Sequence, residues 1–113
     1  MATVLVVDDE PMVLKMIETA LGMEGYEVVC THRAEYALTL QPKYDLAILD
    51  VIMPGMDGPT LAMKLRERNP GMPVLLLSGN TFDVVIPEDM PIMEKPFDLE
   101  VFLAKVRGLM DKV

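Results

Sequence analysis

Five side chains in this sequence have types and positions that suit chemistry on an anion: Asp8, Asp9, Asp50, Ser78 and Lys95. Four apolar runs lead into them. Val4-Leu5-Val6-Val7 ends at Asp8-Asp9, Leu46-Ala47-Ile48-Leu49 at Asp50, Val74-Leu75-Leu76-Leu77 at Ser78, and the weaker Ile92-Met93 comes just before Lys95-Pro96. Runs apolar throughout suit strands buried on both faces. If such strands lie parallel in one open sheet, their carboxyl ends share one rim, where the sites of such sheets form. Three carboxylates, a hydroxyl and an ammonium then converge. Two unit charges about 4 Å apart repel by roughly 4 kcal/mol at an effective dielectric near 20, so the acids call for a cation. Mg²⁺ is a hard ion that prefers carboxylates plus several waters. With that cation and Lys95 neutralising phosphoryl oxygens, one carboxylate can act as a nucleophile on phosphorus. Ser78 offers a hydroxyl to one of those oxygens. The chemistry implied is phosphoryl transfer to an aspartate.

The elements between these positions read as helices. Asp8-Asp9-Glu10-Pro11 is a helix start, followed by an apolar stripe of Val13, Ile17, Ala20 and Leu21, with Gly22 and Gly25 ending it. Tyr26–Cys30 is a β-rich run. Arg33–Leu40 predicts a second helix with Ala34, Ala37 and Leu38 on one face, stopped by Pro42. Met53 to Pro59 is a turn cluster, and Leu61, Ala62 and Leu65 mark a third helix that Asn69-Pro70-Gly71 ends. Leu99, Phe102, Val106, Leu109 and Val113 mark the last. Only sixteen residues separate Ser78 from Lys95, and they include Pro87 and Pro91. Thr81–Ile86 has room for a turn or two of helix at most, because Val84-Val85-Ile86 are poor helix formers. The pattern predicts an α/β fold: a flavodoxin-like, doubly wound, five-stranded parallel sheet of order 2-1-3-4-5, with a shortened or missing fourth helix. In that order the site falls at the switch point between strands one and three.

Composition narrows the function classes. A chain of 113 residues suits one domain, 1–113, large enough to fold without disulfide or structural metal. Hydrophobic residues make up 51% and charged residues 25%, which excludes a disordered acidic tail. Ten basic against eighteen acidic residues give a net charge of −8, so direct nucleic-acid binding and a polybasic membrane contact are not expected. Cys30 is the single cysteine, which rules out an internal disulfide and a multi-cysteine zinc site. The start has no basic leader segment, and no run of 18 apolar residues occurs, so a cytoplasmic location with no membrane partner is expected.

Four segments then carry a resemblance: Val6-Val7-Asp8-Asp9-Glu10, Leu49-Asp50-Val51-Ile52-Met53-Pro54-Gly55-Met56-Asp57-Gly58, Leu77-Ser78-Gly79 and Lys95-Pro96-Phe97. Together, in this order and each at a strand end, they resemble the signatures of response-regulator receiver domains, over essentially the whole chain. The resemblance implies that Asp50 is the phosphoacceptor. Asp9, Asp50 and the backbone carbonyl of Ile52 would bind Mg²⁺ directly, and Asp8 through water. Ser78 would move toward the phosphoryl group, Lys95 would pair with it, and the Lys95–Pro96 bond would be cis. It implies a phosphorelay switch more than an enzyme, with a histidine kinase or histidine phosphotransfer protein as donor and a downstream protein partner. Two positions depart from the family. Ile92 stands where an aromatic switch residue is usual, and the crossover before it is short. The apolar Ile52, two residues after the acceptor, cannot orient a water and points to a long-lived phosphoryl group; Asn80 is the other position of that kind. Residues 83–100 hold six acids and one base, Lys95, a face suited to a basic partner.

Plainer readings stand beside these. Asp8-Asp9-Glu10 also suits helix capping, Asp57-Gly58-Pro59 a helix entry, and Cys30 a small buried hydrophobe. His32 carries no expected role. Met12, Met16, Met63 and Met110 fall at helical positions and read as packing. Three alternatives remain: a receiver fragment of a larger hybrid kinase or regulator, a pseudo-receiver binding module that is never phosphorylated, and a phosphatase of the haloacid-dehalogenase type. The last needs a second aspartate two residues after the nucleophile, where this chain has Ile52.

Overall fold

A computed structural model of the chain describes residues 2–39, 43–79 and 85–111. Five strands, β1 (Thr3–Val7), β2 (Glu27–Thr31), β3 (Leu46–Asp50), β4 (Val74–Ser78) and β5 (Ile92–Glu94), form one parallel sheet in the order β2-β1-β3-β4-β5. Among the described residues four helices cover it: α1 (Pro11–Met23), α2 (Ala34–Ala37), α3 (Gly58–Arg68) and α4 (Leu99–Met110). This is the predicted flavodoxin-like order.

Alternation along each inner strand builds two separate cores. Leu5, Val7, Ala47, Leu49, Val74 and Leu76 point to one face, under α2 and α3. Val4, Val6, Leu46, Ile48, Leu75 and Leu77 point to the other, under α1 and α4. A strand between two covered faces must be apolar at every position, which is why these runs show no polar alternation. On the second face, Ile17 and Leu21 of α1 and Phe102 and Val106 of α4 are fully buried. On the first, Leu61, Ala62 and Leu65 of α3 are.

Several expectations shift. Strand β2 begins one residue later than the β-rich run suggests. Helix α2 stops at Ala37, because both the amide and the hydroxyl of Thr39 donate to the Tyr36 carbonyl, at 3.0 and 2.9 Å, and close a turn. Leu40 and Pro42, expected to end that helix, lie outside the described residues, as do Asn80, Asp83 and Val113. No helix occurs between β4 and β5 among the described residues. Val85 and Ile86 are non-helical, and the amide of Met90 donates to the Pro87 carbonyl in a turn. Residues 81–84 of the expected short helix lie outside the described ones.

The methionines depart from the packing role that their spacing suggests. Met12 and Met16 are 86% and 40% exposed, and Met63 is 63% exposed; of these four helical methionines, only Met110 packs against a core. Met12, Met16 and Met23 instead line an apolar groove with Leu99, on the outer side of α1. Cys30 is half-buried against the second core, and burial pushes its thiol up to about 11, with the Glu18 charge adding to it.

Candidate functional site

The rim at the carboxyl ends of β1, β3, β4 and β5 is built by backbone register. β1 pairs with β3 as Val7↔Leu49, so Asp8 and Asp50 leave adjacent strands at the same height. β4 pairs with β5 as Ser78↔Glu94, and the Lys95 amide donates to the Ser78 carbonyl at 2.8 Å, extending the ladder by one step. Lys95 therefore enters the rim from the sheet edge. The Lys95–Pro96 bond is cis, and Phe97 stacks on Phe102 at 5.1 Å. Asp98 then caps α4, accepting from the amides of Glu100 and Val101.

Asp8 is fully buried and Asp50 is 5% exposed. The Lys95 ammonium lies 2.8 Å from Asp8 Oδ2, 2.9 Å from Glu10 Oε1 and 3.2 Å from Asp50 Oδ2. Asp8 Oδ1 accepts from the Glu10 amide at 2.8 Å. Asp8 Oδ2 has the ion pair but no hydrogen bond of proper direction, and is the one such buried side-chain oxygen or nitrogen among the described residues. One carboxylate oxygen each from Asp8, Asp9, Glu10 and Asp50 lies within 4.8 Å of the others. These are hard oxygen donors carrying more negative charge than one ammonium can offset. The set fits a divalent cation of the Mg²⁺ kind. A cleft of about 240 Å³ leads to it, lined by Asp9, Glu10, Asp50, Ile52, Gly79 and Lys95.

Crowding the acids has an electrostatic cost. Burial, then the Asp8 charge, pushes Asp50 up to about 6 against the pull of Lys95. Burial also raises Asp8, although Lys95 and the Glu10 amide pull it down. Burial draws the Lys95 ammonium toward neutrality, but the carboxylates of Asp8 and Glu10 against it outweigh that and hold it above the ordinary lysine range.

The structure thus brings Asp8, Asp9, Asp50 and Lys95 together. Ser78, 4% exposed, ends β4 and is joined to Lys95 through its backbone carbonyl, but it is not among the residues lining the cleft. Ile52 is half-exposed at the cleft wall. Ile92 is 41% exposed on the edge strand.

Two further residues shape the site without standing out in the sequence. Glu10 occupies the N-cap position of α1 but makes no side-chain cap bond, and its carboxylate goes to Lys95 instead. An acid placed directly after Asp8-Asp9 and before Pro11 is the available signal. Gly58, at the start of α3, donates its amide to the Val51 carbonyl at 2.8 Å, and a Cβ there would stand 2.5 Å from the Asp50 carbonyl oxygen. Asp57 does cap α3, accepting from the Thr60 amide at 2.8 Å.

Comparison with known proteins supplies the family. The profile of the response regulator receiver domain matches residues 4–107. The probable transcriptional regulatory protein TcrX of Mycobacterium tuberculosis is 36% identical over 96% of this chain and 49% of its own length. The DNA-binding dual master transcriptional regulator RpaA of Synechocystis is 35% identical over 97% of this chain and 49% of its own. The response regulator TrrA of Thermotoga maritima, solved in complex with Mg²⁺-BeF, superposes with a TM-score of 0.84 at 31% identity, covering 96% of this chain and 99% of that one.

These findings overturn one expectation. The net charge of −8 argues against nucleic acid as a partner, yet a relative of this chain is named as DNA-binding. The chain spans about half the length of both regulators, and the charge of 113 residues says nothing about the rest of such proteins. No helix of the described residues is long and apolar enough to cross a membrane. On its profile match, its relatives and its fold, the chain belongs to the response regulator receiver domain family, the signalling switches of two-component systems.

Proposed function

We propose that residues 1–113 act as a phosphoaccepting receiver, with Asp50 as the acceptor, working in the cytoplasm and passing its state to a partner by conformational change. The observation that carries this reading is the pairing of a buried Asp50 carboxylate with the Lys95 ammonium, 3.2 Å away, at the foot of an open acidic cleft. An Asp50 oxygen attacks phosphorus of a phosphohistidine on a donor protein. The P–N bond breaks, the imidazole keeps the electron pair, and an acyl phosphate forms on Asp50. Lys95 pairs with the phosphoryl oxygens, and Ser78 offers its hydroxyl to one of them. Asp9, Asp50 and the Ile52 carbonyl would hold Mg²⁺, with Asp8 reaching it through water. When bound, that ion supplies charge neutralisation at the phosphoryl oxygens.

The role is that of a switch, with no substrate turned over beyond its own phosphoryl group. The similarity to TrrA, solved with Mg²⁺-BeF, supports the metal and the phosphoryl reading together. The ratio of lengths to TcrX and RpaA supports a receiver unit within a longer regulator as the second form of the same function. Incubation with acetyl phosphate and Mg²⁺ tests the proposal by intact mass. The wild-type chain should gain one phosphoryl group and Asp50→Asn none. Equal behaviour of the two would leave a binding module that is never phosphorylated.

A further inference from the structure

We infer that Glu10 is a positioning residue for Lys95, a tether that keeps the ammonium at the mouth of the cleft when the buried acids are taken by a cation. This inference rests on the receiver reading above. Lys95 Nζ can donate three hydrogen bonds, and three carboxylates stand around it: Asp8 at 2.8 Å, Glu10 at 2.9 Å and Asp50 at 3.2 Å. The three are not alike. The side chains of Asp8 and Asp50 are 0% and 8% exposed and face the site, whereas that of Glu10 is 60% exposed and comes from the entrance of α1.

If Asp8 and Asp50 held a divalent cation, they would have less charge to offer the ammonium, and the cation would repel it. Glu10 is then the partner that Lys95 can keep. A lysine stem is long and rotamer-rich, so without a tether the repelled ammonium disperses into solvent. With Glu10 in place it stays at the cleft mouth, where an incoming phosphoryl group meets it. Glu10 is free for this task because it makes no cap bond to α1.

The test is a double-mutant cycle in the full chain, using Glu10→Gln with and without Lys95→Gln. Phosphorylation by acetyl phosphate is followed at saturating Mg²⁺. We expect Glu10→Gln to slow phosphorylation about two- to fivefold with Lys95 present, the scale of a partly exposed ion pair. In the Lys95→Gln background it should change nothing. The metal-free protein gives a second readout, the ¹⁵Nζ resonance of Lys95, which Glu10→Gln should shift. Equal slowing in both backgrounds, or an unmoved Lys95 resonance, overturns the tether and assigns Glu10 only its charge. If the wild type takes up no phosphoryl group, the receiver reading itself fails, an outcome distinct from the other two.

Discussion

Asp50 must be buried to be shielded and ionised to attack, and these demands conflict. Its carboxyl is pushed from the ordinary 3.8 up to about 6, first by burial and then by Asp8. A carboxylate whose folded value is raised destabilises the fold when charged. That cost is complete above about pH 6 and vanishes below 3.8, so it grows as pH rises through this window. The cation-free protein should therefore become more stable, from this group, as pH falls from 7 to 4. Asp8, raised in the same direction, adds to the trend. Lys95 acts at the other end of the scale. Its raised value stabilises the fold at all pH below the ordinary lysine value and is lost only in strong alkali. A tenfold change in acidity corresponds to about 1.4 kcal/mol. Replacing Asp50 by Asn removes the buried charge but also one partner of Lys95, so we expect a gain of about 1–3 kcal/mol at pH 7 in EDTA. Urea unfolding measures it, and the gain should disappear near pH 4. No gain at pH 7 would contradict the assignment of strain to this carboxylate.

Elements decide how these residues meet. The start of α3 presses on the strand that carries Asp50, where a Cβ at Gly58 would stand 2.5 Å from the Asp50 carbonyl oxygen, a backbone atom that cannot swing aside. Gly58→Ala should cost about 1–3 kcal/mol in thermal unfolding and slow phosphorylation, because the loop carrying Ile52 must shift. At the opposite end of the sheet, the Asn69 side chain accepts from the Tyr44 amide and donates to the Leu65 carbonyl, both at 2.9 Å. Asn69→Ala removes the side-chain bond to the Tyr44 amide, while the Leu65 carbonyl keeps the residue-69 amide, and should cost about 1–3 kcal/mol with no change in phosphorylation rate per folded molecule. The strand ends are legible in the sequence because strands covered on both faces are apolar throughout and stop abruptly at a polar residue, as at Asp8 and Asp50. The early end of α2 is not, since it depends on both polar groups of Thr39 turning to one carbonyl. The methionines of α1 mislead for a geometric reason. Each residue turns a helix by about 100°, so Met12, Met16 and Met23 share a face, but spacing alone does not say which face meets the sheet. Ile17 and Leu21 take that place.

At the scale of the whole molecule, four chain segments far apart in sequence close one charged rim, and a ligand held there should tighten all of them. Mg²⁺ binding only the folded state stabilises it by about 2.7 kcal/mol at a hundredfold excess over its dissociation constant. Thermal unfolding should show a rise on adding Mg²⁺ that Asp9→Asn reduces. The rim's composition is legible because each contributor ends a strand. The part of Glu10 is not, because an acid before Pro11 reads equally well as a helix cap and only its 2.9 Å approach to Lys95 separates the two. The limit of the sequence is clearest for partners, since charge counted over one unit carries no information about a regulator twice its length. The central claim is that Asp50 accepts a phosphoryl group within this rim. Beryllofluoride added with Mg²⁺, followed by residue-resolved amide shifts, tests it most directly. Large shifts are expected at Asp50, Ser78 and Lys95 in the wild type and none in Asp50→Asn. Shifts that persist in Asp50→Asn, or an unmoved wild-type spectrum, would contradict it.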